Sequence, residues 1–202
     1  MNTDLPEIKV ILLGDTIVGK TCMLMRYMKD EINDFHVATI GIESYTKVLD
    51  IKYTKDKVKL SIIDTSGQER YMSITKNYYK QADGVLLMYD ITNKNSFKNL
   101  ENWFEEIEKN KNGYIHIYLI GNKNDLEHDR EVSKQEGENF AREHDCKFFE
   151  TSILKDKNVK KLFVQLAEDI CKSKKLLEYS ILGEEDNQSY RIVKKNGKGG
   201  CC

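Results

Sequence analysis

The sequence lacks any apolar run long enough to cross a membrane and has no excess of either charge. A membrane-spanning helix needs roughly 18 apolar residues or more, and no stretch of this chain approaches that length. The formal net charge of the 202 residues is −1, so the chain lacks the basic surface that general nucleic-acid binding requires. Residues 1–7 contain two acids and no apolar core of a signal peptide. We therefore expect a cytosolic product that binds no nucleic acid.

Cysteine and histidine are too scattered to indicate a structural metal site. None of the five cysteines, at positions 22, 146, 171, 201 and 202, stands at a metal-ligand spacing from another. We interpret Cys22, Cys146 and Cys171 as reduced residues that pack like small hydrophobic side chains, which is typical of a reducing compartment. The four histidines are equally dispersed, and only His36 becomes a candidate site residue below.

A phosphate-binding loop follows the first buried strand that the sequence predicts. The apolar run 8–13 leads into residues 14–21, which read GDTIVGKT and fit the pattern GxxxxGK[ST]. The glycines can take positive φ and let backbone N–H groups approach an anion. Lys20 would contact the β- and γ-phosphates, and Thr21 would offer its hydroxyl to Mg²⁺. The predicted nucleotide-binding residues here are Gly14, Asp15, Thr16, Ile17, Val18, Gly19, Lys20, Thr21 and Cys22.

A second motif selects the base. Residues 121–126 read GNKNDL and follow the apolar run 115–120. The Asp125 carboxylate only accepts hydrogen bonds, and guanine presents N1–H and its exocyclic amine as a matched donor pair. Adenine has no such pair, so a site of this kind rejects it by roughly 10⁴–10⁵-fold. Asn122 could bridge the base and the phosphate loop, and the Lys123 stem would lie over the ring. GTP and GDP are therefore the expected nucleotides.

A third motif would read the γ-phosphate. Asp64 ends the alternating segment 57–63 and opens the string DTSGQER. An acid there can hold Mg²⁺ through water, Gly67 N–H can meet a γ-phosphate oxygen, and Gln68 can orient the attacking water. Upstream, Thr39 offers a hydroxyl that could complete the Mg²⁺ shell. The predicted metal ligands are Thr21, Thr39 and Asp64, and the predicted catalytic residues are Lys20 and Gln68.

Together these motifs resemble the Ras-like small GTPases, and within them the Rab branch. The resemblance runs from about residue 7 to residue 174 and resumes at the last two residues. It rests on GDTIVGKT, TIG at 39–41, DTSGQERY at 64–71, the tyrosines at 78 and 79, GNKND at 121–125 and ETS at 150–152. The surroundings of TIG, GQERY and YYK, with the Cys-Cys end, are similar to Rab proteins, whereas Ras and Rho proteins typically end in a CaaX box.

The resemblance implies a switch that hydrolyses GTP, recruits effectors to a membrane and regulates vesicle traffic. Its switch segments would lie near 32–42 and 64–80. The implied partners are a guanine exchange factor, a GTPase-activating protein, effectors, and an escort or dissociation-inhibitor protein. Hydrolysis would be slow without the activating protein, because the motifs contain no obvious arginine finger. We expect a monomer that cycles between cytosol and the cytoplasmic face of an endomembrane or the plasma membrane.

The chain departs from that family on the surface that usually meets effectors and in the phosphate loop. Ile63 stands where the family usually has a tryptophan before the aspartate of DTxGQ. The usual IGVDF-like string reads IGIES at 40–44. Ile17 replaces a typically small residue of the phosphate loop. The first two departures concern partner identity and leave the hydrolytic residues in place.

Further departures surround the nucleotide. Ile32 falls where an aromatic ring usually meets guanine, and His36 falls where a tyrosine usually covers the phosphates. After Ser152 the usual Ala-Lys pair is Ile153-Leu154. The base contact at that point is made by backbone, so it can survive the exchange. All five residues are retained as predicted nucleotide contacts.

Strand-like and helix-like runs alternate, which predicts an α/β fold. With the phosphate loop this indicates a P-loop NTPase with a six-stranded, mostly parallel sheet, one antiparallel edge hairpin and about five helices. The predicted strands are 8–13, 43–52, 57–63, 84–89, 116–120 and 146–150, and the predicted helices are 20–28, 68–81, 96–110, 133–144 and 158–175. Ser96 and Ser133 are the predicted N-caps, the second with Glu136 three residues later. The apolar stripe Phe97, Leu100, Trp103, Phe104 and Ile107 is predicted to be core.

The pattern weakens after about residue 174. We predict a GTPase domain at 1–175 and a flexible tail at 176–202. Residues 191–198 carry four positive charges and no acid, and the chain closes on Cys201 and Cys202. The similarity to Rab tails implies a geranylgeranyl group on each of these two cysteines, and two lipid chains meet the usual requirement for stable anchoring.

Two other functions stay open at this point. A protein with the same fold could bind GTP without hydrolysing it, but the presence of Lys20, Thr39, Gly67 and Gln68 argues against that. A P-loop kinase or ATPase acting on a small molecule is disfavoured by Asp125 and by the missing lid insert. The sequence does not name the compartment, the effectors or the regulators.

Overall fold

A six-stranded sheet organises the part of the chain that the computed structural model describes, residues 5–29, 42–51, 57–65 and 77–174. Its strands are β1 (Glu7–Leu13), β2 (Ile42–Asp50), β3 (Lys57–Thr65), β4 (Gly84–Asp90), β5 (His116–Asn122) and β6 (Lys147–Glu150). They lie in the order β2-β3-β1-β4-β5-β6. The β2–β3 pair is antiparallel and the other neighbouring pairs are parallel. The predicted mostly parallel sheet with an antiparallel edge pair is therefore confirmed.

The central strands are apolar along their whole length because both faces of the sheet are covered. Every residue of β4 is buried. Successive side chains of β1 point to opposite faces, so Val10 and Leu12 join one apolar cluster and Ile11 and Leu13 join the other. Two cores therefore lie on the two sides of one sheet, and the sheet holds them in fixed relation to its carboxyl edge.

Helices cover both faces. They are α1 (Lys20–Lys29), α2 (Lys94–Lys98), α3 (Leu100–Asn110), α4 (Lys134–Glu143) and α5 (Val159–Ser173), with a 3₁₀ turn at Glu127–Asp129. These positions confirm the predicted helices 20–28, 133–144 and 158–175 to within a few residues. Residues 77–79 are also helical, but most of the predicted helix 68–81 lies outside the described residues. Among the described residues, no helix combines the length and the apolar character that crossing a bilayer requires.

The predicted helix 96–110 with Ser96 as its N-cap is wrong in two respects. The helix begins earlier, because Asn93 is the cap and its side chain accepts hydrogen bonds from Asn95 N and Ser96 N. The Ser96 hydroxyl is buried and instead accepts a hydrogen bond from Asp90 N at 3.0 Å. The helix is also divided, since α2 ends before Asn99 and α3 begins after it. Asparagine and serine are both favoured at the N-cap, and here Asn93 rather than Ser96 occupies that position.

The other cap and the core stripe are as predicted. Ser133 and Glu136 form a capping box at the start of α4, with each side chain bonded to the other residue's backbone N–H. Leu100, Trp103 and Ile107 are buried in the apolar cluster that contains Ile11 and Leu13, and Phe97 and Phe104 pack against it.

The cysteines in the described ranges pack as small apolar side chains. Cys171 is buried, and Cys22 and Cys146 are half-buried against the two cores. Burial raises the pKa of the Cys146 thiol to about 12 and also raises the pKa of Cys22. Both thiols are therefore protonated and unreactive at neutral pH.

Candidate nucleotide-binding site

The carboxyl ends of the parallel strands bring the sequence motifs to one edge of the sheet. Residues 14–19 follow β1, Asp64 lies near the end of β3, and Asp90 and Asn122 end β4 and β5. The segment after β6 reaches the same edge, where Thr151 N donates to Gly121 O at 2.9 Å. Ligands of open α/β sheets bind in the crevice at this edge. The structure thus gathers motifs that are a hundred residues apart in the sequence.

The two glycines of the phosphate loop lie so close to neighbouring residues that a side chain would not fit at either position. Gly14 has φ of 131°, and a Cβ there would stand 2.1 Å from the Met88 carbonyl oxygen. Gly19 has φ of 103°, and a Cβ there would stand 2.5 Å from Asn122 Nδ2. Any side chain at either position would displace β4 or the base-reading motif. The loop can therefore fold against the sheet only with glycine at both ends.

Lys20 is buried beneath this loop. Its ammonium donates to the carbonyl oxygens of Gly14 at 2.8 Å and Asp15 at 2.7 Å. Lysine has three donors, so one N–H direction remains for a phosphate oxygen. Burial lowers the pKa of Lys20 to about 8, although the charges of Asp64 and Asp15 oppose that shift. The group therefore stays mostly protonated at neutral pH and would become more firmly so beside an anion.

Thr21 and Asp64 supply a pair of oxygen atoms next to the loop. The Thr21 hydroxyl donates to Asp64 Oδ2 at 2.6 Å, and Asp64 is fully buried. Hydroxyl and carboxylate oxygens are both ligands that bind Mg²⁺. The ion usually has few protein ligands, because waters and substrate phosphates fill the rest of its coordination shell. Among the described residues, no three His, Cys, Asp or Glu side chains converge as a metal site. The residues present fit the expected ion.

The base-reading motif is fixed to the phosphate loop by Asn122. Its amide nitrogen donates to Val18 O at 2.9 Å, and its amide oxygen accepts from the Thr151 hydroxyl at 3.0 Å. Both ends of the buried amide are therefore engaged, which sets its orientation. The Asp125 carboxylate accepts a hydrogen bond from Ser152 Oγ at 2.5 Å. The two predicted guanine-contacting segments thus support each other directly.

Lys123 is held by an acid that sequence reasoning missed. Its Nζ lies 2.6 Å from Asp90 Oδ2, and its backbone takes a φ of 67°. The other oxygen of Asp90 accepts from Thr92 N at 2.9 Å and from the Thr92 hydroxyl at 2.7 Å. The only signal in the sequence was an acid at the end of an apolar strand, which Asp90 shares with Asp64.

The segment after Ser152 is held by a second residue that the motifs did not reveal. Arg26 Nε donates to Ile153 O at 3.0 Å, and Arg26 Nη2 donates to Leu154 O at 3.4 Å. Ile153 is buried and Leu154 is exposed. Ile153 therefore belongs to the apolar cluster that contains Val10 and Leu12, while Arg26 of α1 holds the backbone of this turn.

The remaining loop residues differ in environment. Val18 is buried, whereas Thr16 and Ile17 are exposed. Ile17 has φ of 67°, a left-handed conformation that is an outlier for a β-branched residue. Cys22 lies half-buried at the start of α1. The Asp15 carboxylate accepts hydrogen bonds from Asn99 and Trp103, two further residues that the motifs did not indicate.

Several predicted site residues fall outside the described ranges, and their predictions stand untested. These are Ile32, His36, Thr39, Gly67, Gln68, Cys201 and Cys202.

Comparison with known proteins gives consistent matches. The model of the Ras family matches residues 9–172. The chain is 42% identical over 197 residues to Ras-related protein Rab-10 of Diplobatis ommata, covering 96% of this chain and 94% of that protein. It is 43% identical over 162 residues to Ras-related protein Rab-13 of Bos taurus, covering 80% and 79%. It is 44% identical over 162 residues to human Ras-related protein Rab-8B, covering 80% and 77%.

Proposed function

The chain belongs to the Ras family, and within it to the Rab small GTPases, and from that premise we propose how its residues bind, hydrolyse and release the nucleotide. It is a GTP-hydrolysing switch of vesicle trafficking. One observation carries the proposal for its site. The hydrogen bond from Asn122 to Val18 O joins the segment that would read guanine to the loop that would hold the phosphates. A single nucleotide could therefore occupy both halves at once.

Asp125 would select guanine. Its carboxylate is held by the Ser152 hydroxyl, which fixes its direction while leaving acceptor positions for two N–H donors. Lys123 would cover one face of the base, with its ammonium restrained by Asp90. The segment Ser152, Ile153 and Leu154 would complete the base pocket through backbone. Ile32 is the proposed contact on the ring edge.

The phosphate loop would hold the β- and γ-phosphates by N–H groups and by Lys20. The ammonium is already oriented by two carbonyl oxygens, so little freedom would be lost when a phosphate takes its third donor. Gly14 and Gly19 let the loop backbone pack closely against Met88 and Asn122. His36 would lie over the phosphates from the first switch segment.

Hydrolysis would use residues of both switch segments. Thr21 and Asp64 offer adjacent oxygen atoms for Mg²⁺, with Thr39 as the proposed third protein group. Bound Mg²⁺ would supply neutralisation of the charge on the β- and γ-phosphates. Gln68 would orient the attacking water, and Gly67 N–H would hold a γ-phosphate oxygen. These roles rest on the resemblance of the TIG and DTSGQ strings.

Turnover without a partner would be slow. Each arginine of the described residues donates hydrogen bonds to other groups: Arg26 to Ile153 O, Arg130 to Glu127 and Glu150, and Arg142 to Asn139. A GTPase-activating protein would then supply an arginine, worth about 10³–10⁵ in rate in related systems. An exchange factor would restart the cycle by releasing GDP, and effectors would bind the GTP form.

Anchoring would come from the tail at 176–202, outside the proposed GTPase domain at 1–175. Geranylgeranyl groups on Cys201 and Cys202 would provide two lipid chains, and the basic residues of 191–198 would favour an anionic leaflet. The chain would then work as a monomer on the cytoplasmic face of an endomembrane or the plasma membrane. A dissociation-inhibitor or escort protein with a lipid pocket would return it to the cytosol.

Competition binding tests the assignment. Unlabelled GTP and GDP should displace a fluorescent GDP analogue, and ATP should require a concentration about 10⁴–10⁵-fold higher. Asn122→Ala should weaken GDP binding because it breaks the tie between the two halves, whereas Asn139→Ala, on the exposed face of α4, should leave it unchanged. Equal displacement by ATP and GTP would overturn the proposal.

A further inference from the structure

The Asp15 side chain connects the phosphate loop to helix α3. Its Oδ2 accepts a hydrogen bond from Asn99 Nδ2 at 2.7 Å, and its Oδ1 accepts one from Trp103 Nε1 at 2.8 Å. The two donors are four residues apart, so they lie on the same side of the helix, one turn from each other. Hydrogen bonds to a charged acceptor are shorter and stronger than those between neutral groups. The loop is therefore fastened to α3 at two points.

The Asn99 side chain donates its hydrogen bond to Asp15 and makes none to cap α3. It stands at the N-cap position of α3, and asparagine is among the residues best suited to cap a helix. Its side chain nevertheless makes no capping hydrogen bond, and its backbone is helical rather than extended. The amide donates instead to a residue 84 positions upstream. The helical backbone at Asn99 does not suit a side-chain N-cap, which leaves the amide free to donate to the phosphate loop.

Asp15 also touches the lysine of the loop. While its side chain is held by α3, its carbonyl oxygen accepts a hydrogen bond from Lys20 Nζ at 2.7 Å. Fixing both carboxylate oxygens limits rotation of the side chain and of the peptide unit beside it. A carboxylate that was not so held could turn towards the phosphates and repel them.

We propose that Asn99 and Trp103 are positioning residues for nucleotide retention, acting through Asp15. They keep the Asp15 carboxylate against α3 and its carbonyl oxygen on Lys20, so the ammonium stays directed into the loop. Movement of α3 would then alter how tightly the phosphates are held. The inference rests on the proposed role of residues 14–21 as the phosphate site.

Asn99→Ser separates this role from helix stability. Serine is a small polar residue that the helical backbone at position 99 tolerates, so the variant should stay folded, with its unfolding midpoint lowered by no more than the loss of one hydrogen bond. It removes the amide donor, and release of a fluorescent GDP analogue should become about tenfold faster, the scale of one hydrogen bond to a charged group. An unchanged release rate in this folded variant would overturn the proposal.

A double-mutant cycle tests the route through Asp15. Trp103→Phe keeps an aromatic ring but removes the N–H donor, and it should accelerate GDP release. Asp15→Ala should do the same, and the double variant should release GDP no faster than Asp15→Ala alone. Rates that multiply would show that Trp103 acts independently of Asp15. Phe104→Leu is the matched control, since Phe104 follows Trp103 in α3 and packs against the same apolar cluster, so its replacement should affect stability without affecting release.

The sole tryptophan supplies a spectroscopic signature. A ¹⁵N-labelled sample should show one indole N–H resonance, shifted downfield by the carboxylate, and Asp15→Ala should move it upfield. A resonance that stays in place would refute the contact. Failure of the wild-type chain to bind GDP would contradict the proposed function, whereas normal binding with unaltered release in every variant would contradict the positioning role alone.

Discussion

Replacing Ile17 with glycine should stabilise the phosphate loop. Ile17 takes φ of 67°, where the Cβ of an L-residue crowds the following carbonyl oxygen. The residue is 77% exposed, so little buried apolar area offsets that conformation. Strain of this type amounts to about 1–3 kcal/mol. Glycine removes it but raises the conformational entropy of the unfolded chain, which costs about 0.4–1 kcal/mol. The expected net gain is about 1 kcal/mol.

That gain should be visible in unfolding and in nucleotide release. For a domain of this size, about 1 kcal/mol raises Tm by roughly 2–4 °C. If the strained conformation is the one that holds the phosphates, GDP release should slow by about fivefold. Tm should be measured at fixed GDP and Mg²⁺ concentrations, because bound ligand shifts apparent stability. Release is followed by displacement of a fluorescent GDP analogue.

Ile17→Ala is the control that separates backbone strain from side-chain bulk. Alanine keeps the Cβ at the same φ, so it should retain most of the penalty and change Tm and release only slightly. A destabilised Ile17→Gly variant, or one with faster GDP release, would refute the reasoning. Equal gains from alanine and glycine would also refute it, because bulk rather than φ would then be the cause.

The other predictions concern the choice of nucleotide base, the positioning of the attacking water, the contact of residue 32 with guanine, and membrane anchoring. Asp125→Asn should weaken GDP binding and favour xanthine nucleotides, whose C2 carbonyl accepts where guanine donates; competition with XDP measures this, and unchanged preference for GDP would contradict it. Gln68→Leu should abolish water positioning, so single-turnover phosphate release should fall towards zero while GTP binding persists; an unchanged rate removes Gln68 from its role. Ile32→Phe should slow GDP release, because a ring offers guanine a broader face than isoleucine does; stopped-flow measurement of faster release would count against it. Replacing Cys201 and Cys202 together by serine should move the protein from membranes to cytosol with nucleotide binding intact; fractionation with intact-mass analysis tests this, and continued sedimentation with membranes would refute the anchor.

The elements of the fold that could be predicted are those whose signal is local. Buried parallel strands are continuous apolar runs, and the runs at 8–13, 84–89 and 116–120 correspond closely to β1, β4 and β5. The motifs GDTIVGKT and GNKND are short strings with fixed chemistry, and parallel strands bring their carboxyl ends together. The meeting of Asn122 with the phosphate loop therefore follows once β1 and β5 are placed as parallel strands of one sheet.

What could not be predicted depends on pairing between distant residues or on backbone torsion. The positive φ of Ile17 could not be predicted, because isoleucine rarely adopts it and is a common residue in strands. Asp90 could not be assigned to Lys123 from local sequence, because Asp90 ends β4 while Lys123 follows β5. Their approach is set by the β4–β5 register, in which Asp90 stands opposite Asn122. The partners of Asp15 lie 84 and 88 residues away, beyond any local pattern.

The failed cap prediction at Ser96 and the unused cap chemistry of Asn99 show where local rules gave way to the site. Ser96 and Asn99 both have the chemistry of helix N-caps, and neither caps a helix with its side chain. The Ser96 hydroxyl accepts a hydrogen bond from Asp90 N and so holds the end of β4 in place. The Asp90 carboxylate in turn restrains Lys123. Asn99 donates to Asp15 and so secures the phosphate loop. Natural chains break a local preference mainly where function requires it. The division of one predicted helix into α2 and α3 at Asn99 therefore has a physical reason, because it places two polar side chains where they support opposite halves of the nucleotide site.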